Sequence, residues 1–172
     1  MSWAFVTTNL HPVVSVSAPT NGAVFQPTDT IVLRAAATDA DGAIQTVSYY
    51  MDGAYLDTTA QSPWQLQLPG VPAGPHTLTA IAADDTYAWT QSAPVTVMVE
   101  VPPSLAVPAE KTNGLFHVRF AGTPAGTYTI MSAPTVNGPW NAFTNLTLGT
   151  NGRFDLFDAT VATQRFYRAR MP

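Results

Sequence analysis

The chain has 172 residues, enough for one large domain or two small ones, and 46% of them are hydrophobic, so packed cores can form. Only 10% are charged and the formal net charge is -4, so the chain offers no basic stripe for a nucleic-acid backbone or an anionic membrane. The absence of cysteine excludes disulfides, cysteine-ligated zinc and thiol nucleophiles.

The first ten residues, MSWAFVTTNL, have the period of a β-strand but precede the first domain-like pattern. They lack the basic start and apolar core of a signal peptide, and no stretch of the chain reaches the roughly 18 consecutive apolar residues of a transmembrane helix. Either an export signal has been removed with upstream sequence, or the chain is a piece of a longer protein. We predict that residues 1–10 form an arm that finds a partner through Trp3 and Phe5.

Short alternating runs follow from Pro12 to Val99, with turn signals at intervals of roughly ten residues, which is typical of a β-sandwich. Asp52-Gly53 is the strongest hairpin signal in the chain. The predicted strands place the following residues on their inward faces: Ile31, Leu33, Ala35 and Ala37; Val47, Tyr49 and Met51; Trp64, Leu66 and Leu68; Leu78, Ala80 and Ala82; Val95, Val97 and Val99.

Four runs in this region, NLHPVVSVSAPTNGAVF, ATDADGAIQTVSYYMDG, SPWQLQLPGVPAGPHTLTAIAADD and SAPVTVMV, resemble the bacterial Ig-like domains of secreted carbohydrate-active enzymes and adhesins. The resemblance implies an Ig-like sandwich over residues 11–100, at the surface of a bacterium or outside it. Because such domains serve as spacers and binding scaffolds, the resemblance implies no particular reaction.

Val101-Pro-Pro103 predicts a short stiff linker, since consecutive prolines favour extended geometry. The runs GLFHVRFAGTPAGTYTI, NGPW, NGRFDLFDA and RFYRARMP then resemble the small C-terminal β modules of secreted bacterial proteins. This resemblance implies a smaller Ig- or fibronectin-like sandwich over residues 104–172. The whole chain is therefore predicted to be all-β, with two tandem β-sandwich domains.

Four aspartates, Asp39, Asp41, Asp84 and Asp85, form a candidate calcium site. The loops that carry them, B–C and F–G, lie at the same end of an Ig-like sandwich, and loop carboxylates with backbone carbonyls can supply the oxygen ligands of Ca²⁺. The alternative is structural, because DADG at residues 39–42 is the signature of a type I turn in which the aspartate caps its own backbone. No other cofactor is expected.

Tyr87 and Trp89 stand in a loop where the Ig-like resemblance implies small residues. Exposed aromatics can stack on sugar rings or anchor a protein interface, but a loop aromatic can also fold over the open end of its own sandwich. Topology favours packing, because the arm with Trp3 and Phe5 should emerge beside this loop.

Catalytic groups are sparse. The glutamates, Glu100 and Glu110, flank the linker, and His11, His76 and His117 are scattered without a zinc-protease or nucleophile-elbow motif. We therefore expect no enzyme but a structural or adhesive module, with neighbouring domains or further copies of itself as protein partners. Two alternatives stay open: an extracellular filament subunit that assembles by strand addition through the arm, and a carbohydrate-binding module that contacts polysaccharide.

Overall fold

A computed structural model describes residues 8–105, 110–112, 115–159 and 164–171. In these residues every regular element is a β-strand, which confirms the predicted all-β fold class. Within the same ranges, no helix is long and apolar enough to cross a membrane. The chain divides into two compact units, Met1–Val99 and Glu100–Pro172.

The first unit contains nine strands in its described part: β1 (Val13–Ala18), β2 (Ala23–Phe25), β3 (Thr30–Thr38), β4 (Ile44–Met51), β5 (Ala54–Thr59), β6 (Gln65–Pro69), β7 (Gly74–Asp84), β8 (Trp89–Gln91) and β9 (Val95–Val99). One sheet has the order β1-β3-β6, and the other has the order β2-β9-β7-β4-β5 with β8 also paired to β7. The β2–β9 pair is parallel. The remaining pairs in these two sheets are antiparallel.

The core of this unit is built from the predicted alternation. Ile31 and Leu33 of β3, Tyr49 of β4 and Leu78 of β7 are all fully buried, and the predicted inward residues of the other strands pack against the same cluster. Their polar neighbours point outward because successive side chains of a strand face opposite sides. The sequence period therefore assigned the core faces correctly.

The Asp52-Gly53 turn between β4 and β5 is confirmed as a tight hairpin. Both residues have positive φ, 53° for Asp52 and 79° for Gly53, as a two-residue type I′ turn requires. The turn brings β5 alongside β4, and β5 then forms the edge of the larger sheet.

The second unit contains seven strands in its described part: β10 (Ser104–Leu105), β11 (Glu110–Thr112), β12 (Leu115–Ala121), β13 (Thr127–Ala133), β14 (Asn141–Thr147), β15 (Arg153–Asp158) and β16 (Phe166–Arg170). β10, β11 and β15 pair with β12 in one sheet, and β14-β13-β16 form the other. Val118, Phe120, Tyr128 and Ile130 are buried at the centre of its core.

The segment that begins the second unit is tied to the β12–β13 connection. Val101 donates its backbone N–H to Oγ1 of Thr123 at 2.9 Å, and the Thr123 hydroxyl donates back to the Val101 carbonyl at 3.3 Å. The reciprocal pair places Val101, the first residue of the predicted linker, on the folded body of this unit.

Candidate functional site

The B–C and F–G loops of the first unit meet at one end of the sandwich, as the sequence predicts. Ile44 of β4 pairs with Asp84 of β7. Beyond this pair, Asp85 donates its backbone N–H to the Ala43 carbonyl at 3.0 Å, and Ala43 donates its own N–H to Oδ1 of Asp85 at 3.4 Å. Residues 39–43 and 84–88 are therefore in direct contact.

Asp84 is fully buried, and it organises its own turn. Its Oδ1 accepts hydrogen bonds from the backbone N–H and the hydroxyl of Thr86, at 2.8 Å and 2.9 Å, and from the N–H of Ala88 at 2.9 Å. Its Oδ2 accepts a hydrogen bond from Nδ2 of Asn9 at 2.9 Å. The hydrogen bond from Asn9, with those from Thr86 and Ala88, holds the pKa of Asp84 below its ordinary value against the opposing effect of burial. Both carboxylate oxygens are thus engaged by protein donors.

Asp41 is exposed and holds the other side of the N-terminal segment. Its two carboxylate oxygens accept from the backbone N–H of Leu10, at 3.3 Å and 3.1 Å. Nδ1 of His11 is 3.0 Å from the carbonyl oxygen of Trp89. Residues 9, 10 and 11 therefore contact both loops, at the end of the sandwich where β1 begins.

Asp39 and Asp85 approach each other across Gly42. A Cβ on Gly42 would stand 2.6 Å from Oδ1 of Asp85 and 2.8 Å from Oδ2 of Asp39, so a larger residue at this position would displace one or both carboxylates. Both carboxylate oxygens of Asp39 are buried and have no hydrogen-bond partner. Of the four predicted aspartates, the structure brings these two together.

No group of three or more His, Asp or Glu side chains in the described ranges is arranged to hold a metal ion. Asp84 and Asp41 bind the N-terminal segment, and Asp39 and Asp85 form a separate pair. The sequence showed that the four residues share one end of the domain. It carried no signal for this division, which depends on donors from residues 9, 10, 86 and 88. Calcium binding by the aspartates stays a prediction.

Tyr87 and Trp89 are strongly exposed, with 76% and 57% of their surface accessible. Tyr87 has a φ of 70°, a conformation that non-glycine residues adopt rarely, and Trp89 begins the short strand β8 opposite Ala83. The two aromatics therefore stand at the tip of the β7–β8 turn. Trp3 and Phe5 lie outside the described residues, so contact of that arm with this loop stays a prediction, as does assembly through the arm.

An ion pair at the opposite end of β7 was not predicted. Nδ1 of His76 is 2.7 Å from Oδ2 of Asp52, and Nε2 of His76 is 2.8 Å from the Pro72 carbonyl oxygen. Burial alone would lower the pKa of His76, but the hydrogen bonds to Asp52 and Pro72 raise it above its ordinary value. Burial would raise the pKa of Asp52, but the His76 contact and the Thr77 N–H lower it. The pair links the Asp52-Gly53 turn to β7 and has a structural role.

The second unit carries an arginine-aromatic cluster around β16. The guanidinium of Arg168 lies 4.4 Å from the ring centroid of Trp140, and that of Arg165 lies 5.4 Å from the ring centroid of Phe143. The buried carboxylate of Asp158 accepts from Nη1 of Arg165 at 2.7 Å and from the hydroxyl of Tyr167. Burial, together with this carboxylate, raises the pKa of Tyr167 to about 12.

Residues 12–80 match the sequence model of the bacterial Ig domain family. The match lies within the first unit, where two sheets pack around one core, and it confirms the resemblance of this domain to bacterial Ig-like domains. The family match ends before the second unit. No curated protein matches the chain.

Similar solved structures are modular β proteins. The chain is 26% identical to fibronectin(III)-like modules of Clostridium thermocellum CbhA, with 51% of this chain and 96% of that one aligned and a TM-score of 0.47. It is 12% identical to a bacterial ice-binding adhesin studied for host cell surface retention, covering 90% of this chain and 55% of that one at a TM-score of 0.36. A two-domain fibronectin type III segment of chicken tenascin is 16% identical over 93% of this chain and 98% of that one, at a TM-score of 0.36.

Proposed function

We propose that the chain is a non-catalytic structural module of an exported bacterial protein. The module spaces or attaches other parts of that protein at the cell surface, and it bears mechanical load between its two ends. The match of the first unit to bacterial Ig domains supports this role. The contacts of its charged groups also support this role, because the Asp52–His76 pair stabilises a turn and Asp84 accepts hydrogen bonds within its own loop. The observation that carries the proposal is the parallel pairing of β2 with β9.

β2 is near the start of the first unit and β9 is its last strand, and the two run side by side in the same direction, with Ala23 opposite Val97 and Phe25 opposite Val99. A force that pulls the two ends of the unit apart drags β2 backwards and β9 forwards along a common axis. All hydrogen bonds between the two strands are then loaded in shear together. An antiparallel terminal pair would instead open one bond at a time.

Further hydrogen bonds strengthen this pair just before β2 begins. Gly22 donates its N–H to the Thr96 carbonyl at 2.8 Å. Oδ1 of Asn21 accepts from both the N–H and the hydroxyl of Thr96, at 2.8 Å and 2.9 Å. A force on the β2–β9 pair therefore also acts on these contacts. The two hydrogen bonds to the Asn21 side chain can be removed by one substitution.

Single-molecule pulling of the full chain between its two ends tests the proposal. Asn21→Ala removes two hydrogen bonds that together contribute about 1–2 kcal/mol, so the first unit should unfold under load roughly 5- to 30-fold faster. Gln91→Ala, on the short strand β8 outside the load path, is the control and should leave the unfolding force unchanged. Equal unfolding forces for Asn21→Ala and the parent would contradict the proposal.

Contact with polysaccharide through Tyr87 and Trp89 is a second candidate function. The exposure of both rings at a loop tip favours it, because aromatic faces stack on sugar rings. Trp89→Ala should then abolish retention on the polysaccharide that the parent binds. Tyr55→Ala is the matched control, since Tyr55 is a similarly exposed aromatic on β5. Unchanged retention of Trp89→Ala would rule out this function.

A further inference from the structure

Asp39 carries a carboxylate that none of the described residues satisfies. Both of its oxygens are buried, and within the described part of the chain neither has a hydrogen-bond partner. An ionised carboxylate removed from water without a donor or a counter-charge is strongly unfavourable. Buried polar groups in folded proteins almost always have a partner, so an orphaned carboxylate points to one outside the described residues.

A second carboxylate faces the same place. Oδ2 of Asp39 and Oδ1 of Asp85 lie 2.8 Å and 2.6 Å from the position of a Cβ on Gly42, so both oxygens border the space that the glycine leaves free. Oδ1 of Asp85 has only a long hydrogen bond, 3.4 Å from the N–H of Ala43. Two carboxylates this close repel each other unless a positive charge lies between them.

The first unit is poor in cations that could supply this charge. Its sequence contains no lysine and one arginine, Arg34, whose Nε is directed at Oε1 of Gln65 at 3.4 Å. His76 is committed to Asp52, and Nδ1 of His11 lies against the Trp89 carbonyl. By contrast the same unit has seven aspartates, Asp29, Asp39, Asp41, Asp52, Asp57, Asp84 and Asp85.

We propose that Asp39 and Asp85 bind a calcium ion at the contact between the loops 39–43 and 84–88. Calcium takes six to eight oxygen ligands in flexible geometry, so two carboxylates can be completed by backbone carbonyls and water. Magnesium requires a more regular octahedron and is the weaker candidate. With only two charged ligands, the dissociation constant should be on the order of 0.1–1 mM, in the range of extracellular calcium modules.

A calcium site accounts for the different partners of the four aspartates at this end of the domain. Asp84 and Asp41 are engaged by donors from residues 9 and 10, so they fasten the N-terminal segment to the two loops. Asp39 and Asp85 stand between the same loops without such donors. A bound ion would join the loops directly, and through Asp84 and Asp41 it would stiffen the point where the chain enters the domain.

Calorimetric unfolding of the full chain at pH 7, in EDTA and at increasing concentrations of CaCl₂ at constant ionic strength, tests the site. At ten times the dissociation constant, the midpoint of the first unit should rise by roughly 5–10 °C. The midpoint of the second unit is an internal control and should not move. Isothermal titration with Ca²⁺ should give one site per chain, and Mg²⁺ should give a smaller response.

Asp39→Asn and Asp85→Asn should each abolish the calcium response, whereas Asp57→Asn, an exposed aspartate on β5, should keep it. In EDTA, Asp39→Asn should also be more stable than the parent, because the amide removes the buried charge and can donate to Asp85. This gain in stability distinguishes a cation site from a carboxylate with a purely structural role. If Asp39→Asn does not fold, Asp85→Asn provides the same test.

Two results would overturn the proposal. The first is a parent whose midpoint does not respond to millimolar calcium. The second is a response that survives Asp39→Asn.

Discussion

Tyr128 offers the sharpest test of how the second unit is held together. The residue is 2% exposed, and its hydroxyl oxygen accepts a hydrogen bond from the backbone N–H of Thr123 at 2.9 Å. Thr123 is itself 4% exposed, so no water replaces a lost partner. The arrangement resembles the tyrosine corner of Ig-like sandwiches, in which a tyrosine hydroxyl bonds to the backbone a few residues upstream.

Tyr128→Phe should destabilise the second unit by about 2 kcal/mol, because it leaves the buried N–H of Thr123 without an acceptor. The same change removes the long hydrogen bond from the tyrosine hydroxyl to the Val101 carbonyl, 3.5 Å in length. For a domain of this size, 2 kcal/mol corresponds to a fall in melting temperature of roughly 8–16 °C. The ring still fills its pocket, so no cavity contributes to the loss.

Calorimetry of the full chain measures this change while the transition of the first unit serves as reference. Tyr55→Phe is the control and is measured on the transition of the first unit, because the Tyr55 hydroxyl donates to Thr58 on the exposed face of β5. The control should change the free energy of unfolding by less than about 0.5 kcal/mol. If Tyr128→Phe changed it as little as the control, the Thr123 N–H would not depend on this hydroxyl and the reasoning would be wrong.

Three further predictions concern charge and assembly. The His76–Asp52 pair stabilises the first unit between the lowered pKa of Asp52 and the raised pKa of His76. Its contribution is fully present just below pH ~6.5 and is lost as the pH rises through the folded pKa of His76. In Asp52→Asn, the free energy of unfolding measured in urea should therefore fall less over this rise in pH than it does in the parent. Arg165→Ala should cost the second unit about 1.5–3 kcal/mol, because the buried carboxylate of Asp158 loses a charged donor. Arg153→Ala, at the exposed first residue of β15, should be nearly neutral in the same calorimetric assay. If the chain assembles through its arm, deletion of residues 1–7 should leave a monomer by sedimentation, and assembly that survives the deletion would exclude strand addition by this segment.

Alternation of apolar residues was enough to predict the core of the first unit. Leu78, Ala80 and Ala82 are buried because every second residue of a strand shares a face, and no knowledge of the partner strand is needed to see this. The Asp52-Gly53 turn could also be predicted from neighbouring residues alone, since positive φ at two successive positions restricts the residue types that fit there. Strands with mixed exposure lacked this period: β5 was indicated only by the hairpin turn that precedes it, and β14 was not predicted.

Only the tertiary structure decided what the residues at the loop end do. The sequence placed Asp39, Asp41, Asp84 and Asp85 at one end of the sandwich, because a strand order that resembles Ig-like domains brings their loops together. Which carboxylate is engaged depends on donors that are distant in the chain, such as Asn9 for Asp84, 75 residues away. The parallel β2–β9 pair is equally non-local, since it joins the two ends of the domain and leaves no signal in either strand alone.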